Sequence, residues 1–163
     1  IKYVFEDIIR LGCKFAILGS GEKIYEDFFS EMHYRYPDRV GLTIGFVPEL
    51  SKKIYAGADM FLMPSQSEPC GLAQMIALRY GTIPIVRETG GLRDSIHDAG
   101  DKNGNGFTFK SYNAHDMLDA VVRARAYYDD KMKWGRLVNT ALKQNFSWTK
   151  SAKDYIALYN DIH

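Results

Sequence analysis

The strongest constraint on the fold is a repeated alternation, in which a short apolar run is followed by a small-residue turn and then by a segment of helical periodicity. Phe15, Ala16, Ile17 and Leu18 form the first run, ending in Gly19-Ser20-Gly21, after which Ile24, Phe28, Met32 and Tyr36 recur every four residues up to Pro37. This reads as strand, tight turn, helix. Residues 40–46 read as a second strand, 48–56 as a short helix with Pro48 in its first turn, and 59–63 as a third strand. After the loop at 64–71, Leu72, Met75, Ile76 and Tyr80 mark one helical face closed by Gly81. Residues 83–86 form a fourth strand, with Pro84 confined to its beginning. Strands that alternate with helices at this spacing predict an α/β fold, a Rossmann-like parallel sheet with helices on both faces.

The two ends depart from this rhythm. Val4, Phe5, Ile8 and Leu11 have helical spacing, with Gly12 as a C-cap, so a helix precedes the first strand. A helix in that place, and the lack of an initiating Met, lead us to expect a fragment whose upstream part is missing. Residues 1–163 are read as one domain without internal repeats. After the polar, Gly-rich residues 97–106 and a last short strand at 106–109, a helical tail runs over about 113–163. Asn113 and Asp116 look like a capping pair ahead of Met117, Val121, Ala124 and Tyr128. Trp134, Leu137, Val138, Ala141 and Leu142 trace a second helix, and Trp148, Ala152, Tyr155, Ile156 and Tyr159 a third with Ser147 as N-cap. The aromatic stripes of these helices are expected in the core, with the last one open to a second reading, as partial cover of a surface that meets a further domain.

Charge and composition exclude several function classes. Lys plus Arg number 21 against 20 Asp plus Glu, a net charge of +1, so no global field recruits nucleic acid or an anionic membrane. No apolar run approaches the roughly 20 residues of a membrane span. Cys13 and Cys70 are far apart and form no Cys-x-x-Cys pair, which suits a reducing cytoplasm, or a plastid if the source is a plant. His33, His97, His115 and His163 lack ligand spacing. Residues 101–106 match the first half of a calcium loop, but its twelfth position is Tyr112 rather than Glu, and a flexible surface loop is the better reading. No metal and no cofactor are therefore expected.

In parallel α/β sheets ligands gather at the carboxyl ends of the strands, where helix N-termini present free amides. Gly21 would let a phosphate approach the backbone, or would simply serve a tight turn. The segment Pro64-Ser65-Gln66-Ser67-Glu68-Pro69-Cys70-Gly71-Leu72-Ala73-Gln74 is richer, because it sets a carboxylate just before a helix whose first free amides belong near Gly71, Leu72 and Ala73. Those amides suit phosphate oxygens, and Glu68 suits either sugar hydroxyls or a capping role.

Three stretches carry a resemblance: Pro64-Ser65 through Glu68-Pro69-Cys70-Gly71-Leu72, Arg79-Tyr80-Gly81-Thr82-Ile83-Pro84-Ile85-Val86-Arg87, and Thr89-Gly90-Gly91-Leu92-Arg93-Asp94. Together with Leu18-Gly19-Ser20-Gly21, Ile44-Gly45-Phe46, Ala56-Gly57-Ala58-Asp59 and Phe146-Ser147-Trp148, they resemble bacterial glycogen synthases and plant starch synthases over nearly the whole chain. The resemblance implies that residues 1–163 are a single nucleotide-sugar-binding domain, the carboxyl-terminal, donor-binding half of a two-domain GT-B glycosyltransferase. It implies retaining transfer of glucose to the non-reducing end of an α-1,4-glucan, with ADP-glucose ahead of UDP-glucose as donor and without a metal. By that similarity Glu68 is the catalytic-site carboxylate on the donor glucose. Gly21, Ser65, Cys70, Gly71, Leu72, Ala73, Gly90 and Gly91 line the donor site, with Gly90 and Gly91 also open to a plain tight-turn reading. Phe46 stands where many relatives carry a base-stacking Tyr, with core filler as the alternative.

Ala73 replaces a common Thr, which removes a hydroxyl but not the backbone contact. The second Glu of many GT-B enzymes is absent at Gln74-Met75-Ile76, in agreement with the starch-synthase branch. Cys70 is read as a bystander rather than a nucleophile. The family's Lys-x-Gly-Gly-Leu loop, its sugar-contacting His and an Arg and Lys pair are not found in these residues, so the chain alone is expected to hold the donor without completing transfer. A stand-alone nucleotide-binding regulatory module, or another GT-B nucleotide-sugar enzyme, is the alternative; the Glu-Pro-Cys-Gly-Leu turn argues against the latter.

Overall fold

The computed structural model describes residues 1–162; His163 lies outside the described residues. A 3-10 turn at Lys2–Val4 leads into α1 (Phe5–Arg10), then β1 (Phe15–Gly19), α2 (Lys23–Arg35), β2 (Val40–Ile44), α3 (Pro48–Gly57) and β3 (Met60–Met63). α4 (Ala73–Tyr80), β4 (Ile83–Arg87), α5 (Gly90–Ser95) and β5 (Phe107–Phe109) follow, and α6 (Ala114–Asp129), α7 (Lys131–Leu142) and α8 (Trp148–Ile162) close the chain. All strand pairs are parallel, as the alternation required. The hydrogen bonding divides them into two groups, β1-β2 and β3-β4-β5, rather than one continuous ladder.

β4 sits between β3 and β5, and its residues 83–86 are buried. Pro84 is its second residue, a place normally closed to a residue without an N–H. The ladder to β5 begins only at Ile85 opposite Phe107, while Ile83 donates to Asp59 on the other side, so Pro84 removes no bond that the strand would otherwise make.

Two apolar clusters hold the layers. The larger gathers Ile83, Ile85, Val86, Leu92, Phe107 and Met117 with residues from α1, α4, α6 and α7. The smaller centres on Phe5, Met32 and Val40, where Phe5 stacks on Phe15 with ring centroids 4.2 Å apart. α1 serves both, because Ile8 joins the first cluster, with Val4 of the preceding turn, and Phe5 the second. The predicted N-terminal helix thus ties the two strand groups together.

Several expectations are corrected here. α4 does not bury Leu72, Ile76 and Tyr80, which are exposed; it buries Gln74, Ala77 and Leu78. The helix carries apolar residues nearly all round, so its inward phase was set by packing and not by the pattern. α5, six residues starting with two glycines, is a helix where the sequence suggests donor-site lining or a tight turn. The α8 stripe is not core: Trp148, Tyr155, Ile156 and Tyr159 are all exposed, and α8 has no buried residue. The loop at 101–106 is not simply a surface loop, since Asn105 and Gly106 are buried and Gly106 bridges to Asp98. Asn113 caps α6 through the amide of His115, and Asp116 instead accepts from Ser111. Among the described residues no helix is long and apolar enough to cross a membrane.

Candidate functional site

The residues singled out from the sequence follow the carboxyl ends of strands in both groups. Gly21 follows β1, Phe46 follows β2, Ser65 through Ala73 follow β3, and Gly90 and Gly91 follow β4. The last two groups are in direct contact. The Gly91 amide donates to Glu68 O at 3.1 Å and Pro69 O at 3.2 Å. A Cβ at Gly90 would stand 2.0 Å from Glu68 O, and one at Gly91 2.1 Å from Cys70 O. Both glycines are therefore required by close approach to the turn, and Gly90 also by its φ of 45°. The tight-turn reading and the site reading merge, because these glycines let the loop sit where it does.

Three side chains that the sequence reading passed over hold the turn from behind. Gln74 Nε2 donates to Gly71 O at 2.8 Å and lies 3.2 Å from Cys70 O and 3.1 Å from Ser95 Oγ. Ser95 Oγ donates to Gly91 O at 2.6 Å. Arg87, at the end of β4, donates to Gln66 O at 2.7 Å and lies over the Tyr112 ring. Arg87 falls within the stretches that carry the resemblance and Gln74 departs from the GT-B pattern; no periodic signal marks either as a support.

The turn presents its other side to solvent. Glu68 is half-buried, while Cys70 and Leu72 are exposed and Cys70 is a free thiol. The first-turn amides of α4 have no carbonyl one turn back to receive them. Anions are favoured at such a terminus by both the free N–H groups and the helix dipole. Gly71, with φ 69°, is followed by Leu72 in the right-handed region, a pairing that forms a small anion-binding concavity from successive amides.

Gly21 and Phe46 follow β1 and β2, the other strand group. Nothing lies within 4 Å of a Cβ built on Gly21, and its backbone is outside the left-handed region, so the local conformation does not demand glycine there. Phe46 is 89% exposed, which removes the core-filler alternative. Among the described residues no group of three or more His, Cys, Asp or Glu is placed to hold a metal ion. Two open concavities lie away from the face of the turn. One of about 340 Å³ is lined by residues of α1 and α2, among them Glu6 and Arg35. The other, of about 320 Å³, is lined by Glu88, Asp98 and Thr108 among others.

Comparison with known proteins decides the family. The model of the glycosyl transferases group 1 family matches residues 4–136. The chain belongs to that family. Among curated relatives of this group 1 glycosyl transferase, a glycogen synthase of Anoxybacillus flavithermus is 52% identical over 99% of the chain and 34% of the relative. A glycogen synthase of Bacillus anthracis is 51% identical, again over 99% and 34%. The chain thus spans about a third of the length of the curated relatives it matches. Among solved structures, the catalytic domain of starch synthase IV from Arabidopsis thaliana, bound to ADP and acarbose, superposes with a TM-score of 0.85. It shares 37% identity and is matched over 98% of this chain and 34% of that one. The parallel α/β architecture is that of GT-B glycosyltransferases.

Proposed function

We propose that the chain is the donor-holding part of a retaining glucosyltransferase that moves glucose from ADP-glucose to the non-reducing end of an α-1,4-glucan, in the cytoplasm or in a plastid. The observation that carries this reading is the turn ahead of α4, where the Glu68 side chain passes 3.1 Å from a Cβ built on Gly71, just before the amides at the start of the helix, and Gly90 and Gly91 brace the backbone. The amides of Gly71, Leu72 and Ala73 receive the diphosphate, whose negative charge grows as the glucosyl bond breaks. Glu68 accepts hydrogen bonds from glucose hydroxyls. Ser65 and the backbone of Cys70 line the sugar side. Phe46 offers a ring face to the base, and Gly21 admits the phosphates closely. UDP-glucose is the second donor by the same chemistry.

Support also comes from the relatives named glycogen synthase and from the starch synthase that carries ADP in its structure. The glucan acceptor lies against the part of the enzyme outside these residues, so the chain binds donor and does not elongate glucan by itself. The test is calorimetric, with ADP, UDP and ADP-glucose titrated into the chain and into Glu68→Ala. ADP-glucose should lose more affinity than ADP on removal of the carboxylate. Equal losses for the two ligands would take Glu68 out of the sugar site.

A further inference from the structure

Gln74 is the second residue of α4 and is fully buried, at 0% exposure, where an apolar residue would ordinarily serve. Cys70 O and Gly71 O can only accept hydrogen bonds, so the group that faces them is the amide NH2. That orientation leaves Gln74 Oε1 buried without a hydrogen-bond partner among the described residues, an unfavourable arrangement that Leu or Met would avoid. The side chain is therefore explained by its two donated protons and not by packing.

Those protons have a geometric consequence. The chain contains no cis peptide bond among the described residues, and in a trans unit the N–H points opposite to the C=O of the same plane. Tethering Cys70 O inward turns the Gly71 amide outward, and tethering Gly71 O inward turns the Leu72 amide outward. Both carbonyls converge on one side chain because Gly71 is left-handed; a Cβ there would meet Gln74 Oε1 at 2.6 Å. Ser95 Oγ meets the same Gln74 nitrogen at 3.1 Å, so three acceptors share its two protons, and the Ser95 carbonyl accepts from the fully buried Asn105 at 3.0 Å. A buried polar path thus runs from the loop after α5 to the turn.

We propose that Gln74, held by Ser95, is a positioning residue that aims the Gly71 and Leu72 amides at the donor diphosphate. It touches neither sugar nor phosphate. The proposal rests on the donor-site reading above, and the experiment separates the two. Adenosine, ADP and inorganic pyrophosphate are titrated into the parent chain, Gln74→Met and Ser95→Ala, with the Gly71 and Leu72 amide resonances followed by NMR. Gln74→Met keeps the length and fills the same space without a donor.

It should bind adenosine like the parent but ADP and pyrophosphate about tenfold more weakly or worse, with the shifts of its two amides displaced to correspondingly higher pyrophosphate concentration. Ser95→Ala should move in the same direction by less, and it carries the test alone if Gln74→Met does not fold. An unchanged ratio of ADP to adenosine affinity in both variants, on a parent that binds ADP, overturns the role of Gln74 and leaves the donor site standing. Equal losses of adenosine and ADP also overturn it, as the mark of a general structural defect. A parent chain whose Gly71 and Leu72 amides ignore ADP overturns the donor-site reading, and this role with it.

Discussion

Gly91→Ala tests whether the turn is held in place by the start of α5. The added methyl would lie 2.1 Å from Cys70 O and 2.7 Å from both Cys70 C and Cys70 Cα. Ordinary contact begins near 3.4 Å, so the two backbones must separate by 1.3 Å, the difference between 3.4 and 2.1 Å. The obstacle is main chain on both sides, and no rotamer change relieves it. Overpacking of this kind costs about 1–3 kcal/mol. In a chain of this size each kcal/mol lowers Tm by about 2–4 °C, so a fall of about 2–12 °C is expected.

The same shift lengthens the bonds from the Gly91 amide to Glu68 O and Pro69 O and carries residues 68–70 away from their neighbours. A displacement of about 1 Å moves a well-made hydrogen bond beyond its effective range, so affinity for ADP-glucose should fall at least about tenfold. Thermal melting followed by calorimetry reads both effects. Gly135→Ala is the control: it lies inside α7 with nothing within 4 Å of the new Cβ, and it should raise stability by about 0.5–1 kcal/mol without touching ligand affinity. If Gly91→Ala melts where the parent melts and binds ADP-glucose as well, the turn is not positioned by this contact and the steric argument fails.

Gly21→Ala should leave Tm unchanged, because its Cβ points into open space, and yet weaken ADP if a phosphate approaches that backbone; calorimetry showing parental affinity would return Gly21 to a passive turn. Asp98 supplies a pH dependence. Burial would raise its carboxyl pKa, but the Arg123 guanidinium and the amides of Thr108 and Gly100 outweigh burial and hold it below the usual 3.8. A lowered folded-state pKa means that its contribution is complete above 3.8 and is lost as pH falls through the folded value. Tm measured against pH should therefore decline on the acid side in the parent and less steeply in Asp98→Asn; superimposable acid limbs would contradict the assignment.

The sequence made the succession of strands and helices and the parallel sense readable because each rests on local chemistry. Gly81 ends α4 with φ 78°, and its place after Tyr80 is visible in the chain. The resemblance of residues 64–94 then named the turn. What could not be read is how the turn is held. The α4 phase was ambiguous, since Met75, Ile76, Ala77 and Leu78 offer apolar side chains in several directions, and the choice of Ala77 and Leu78 as the buried pair was made by β4 and α7. That choice is what carries Gln74 inward.

The supports of the site share a further property that hides them. Gln74 meets the carbonyls of Cys70 and Gly71, Arg87 meets that of Gln66, Ser95 meets that of Gly91, and the two glycines make room for the carbonyls of Glu68 and Cys70. Every one of these contacts ends on main chain. A backbone carbonyl is the same at every residue, so such contacts impose no matching side chain on the partner and leave no paired pattern to find. The α8 stripe shows the converse. Its Trp148, Tyr155 and Tyr159 have the spacing of a buried face, but burial requires a second surface, and among the described residues none covers them. Amphipathic spacing fixes which face of a helix is apolar; only the packing of the whole fold decides whether that face is core.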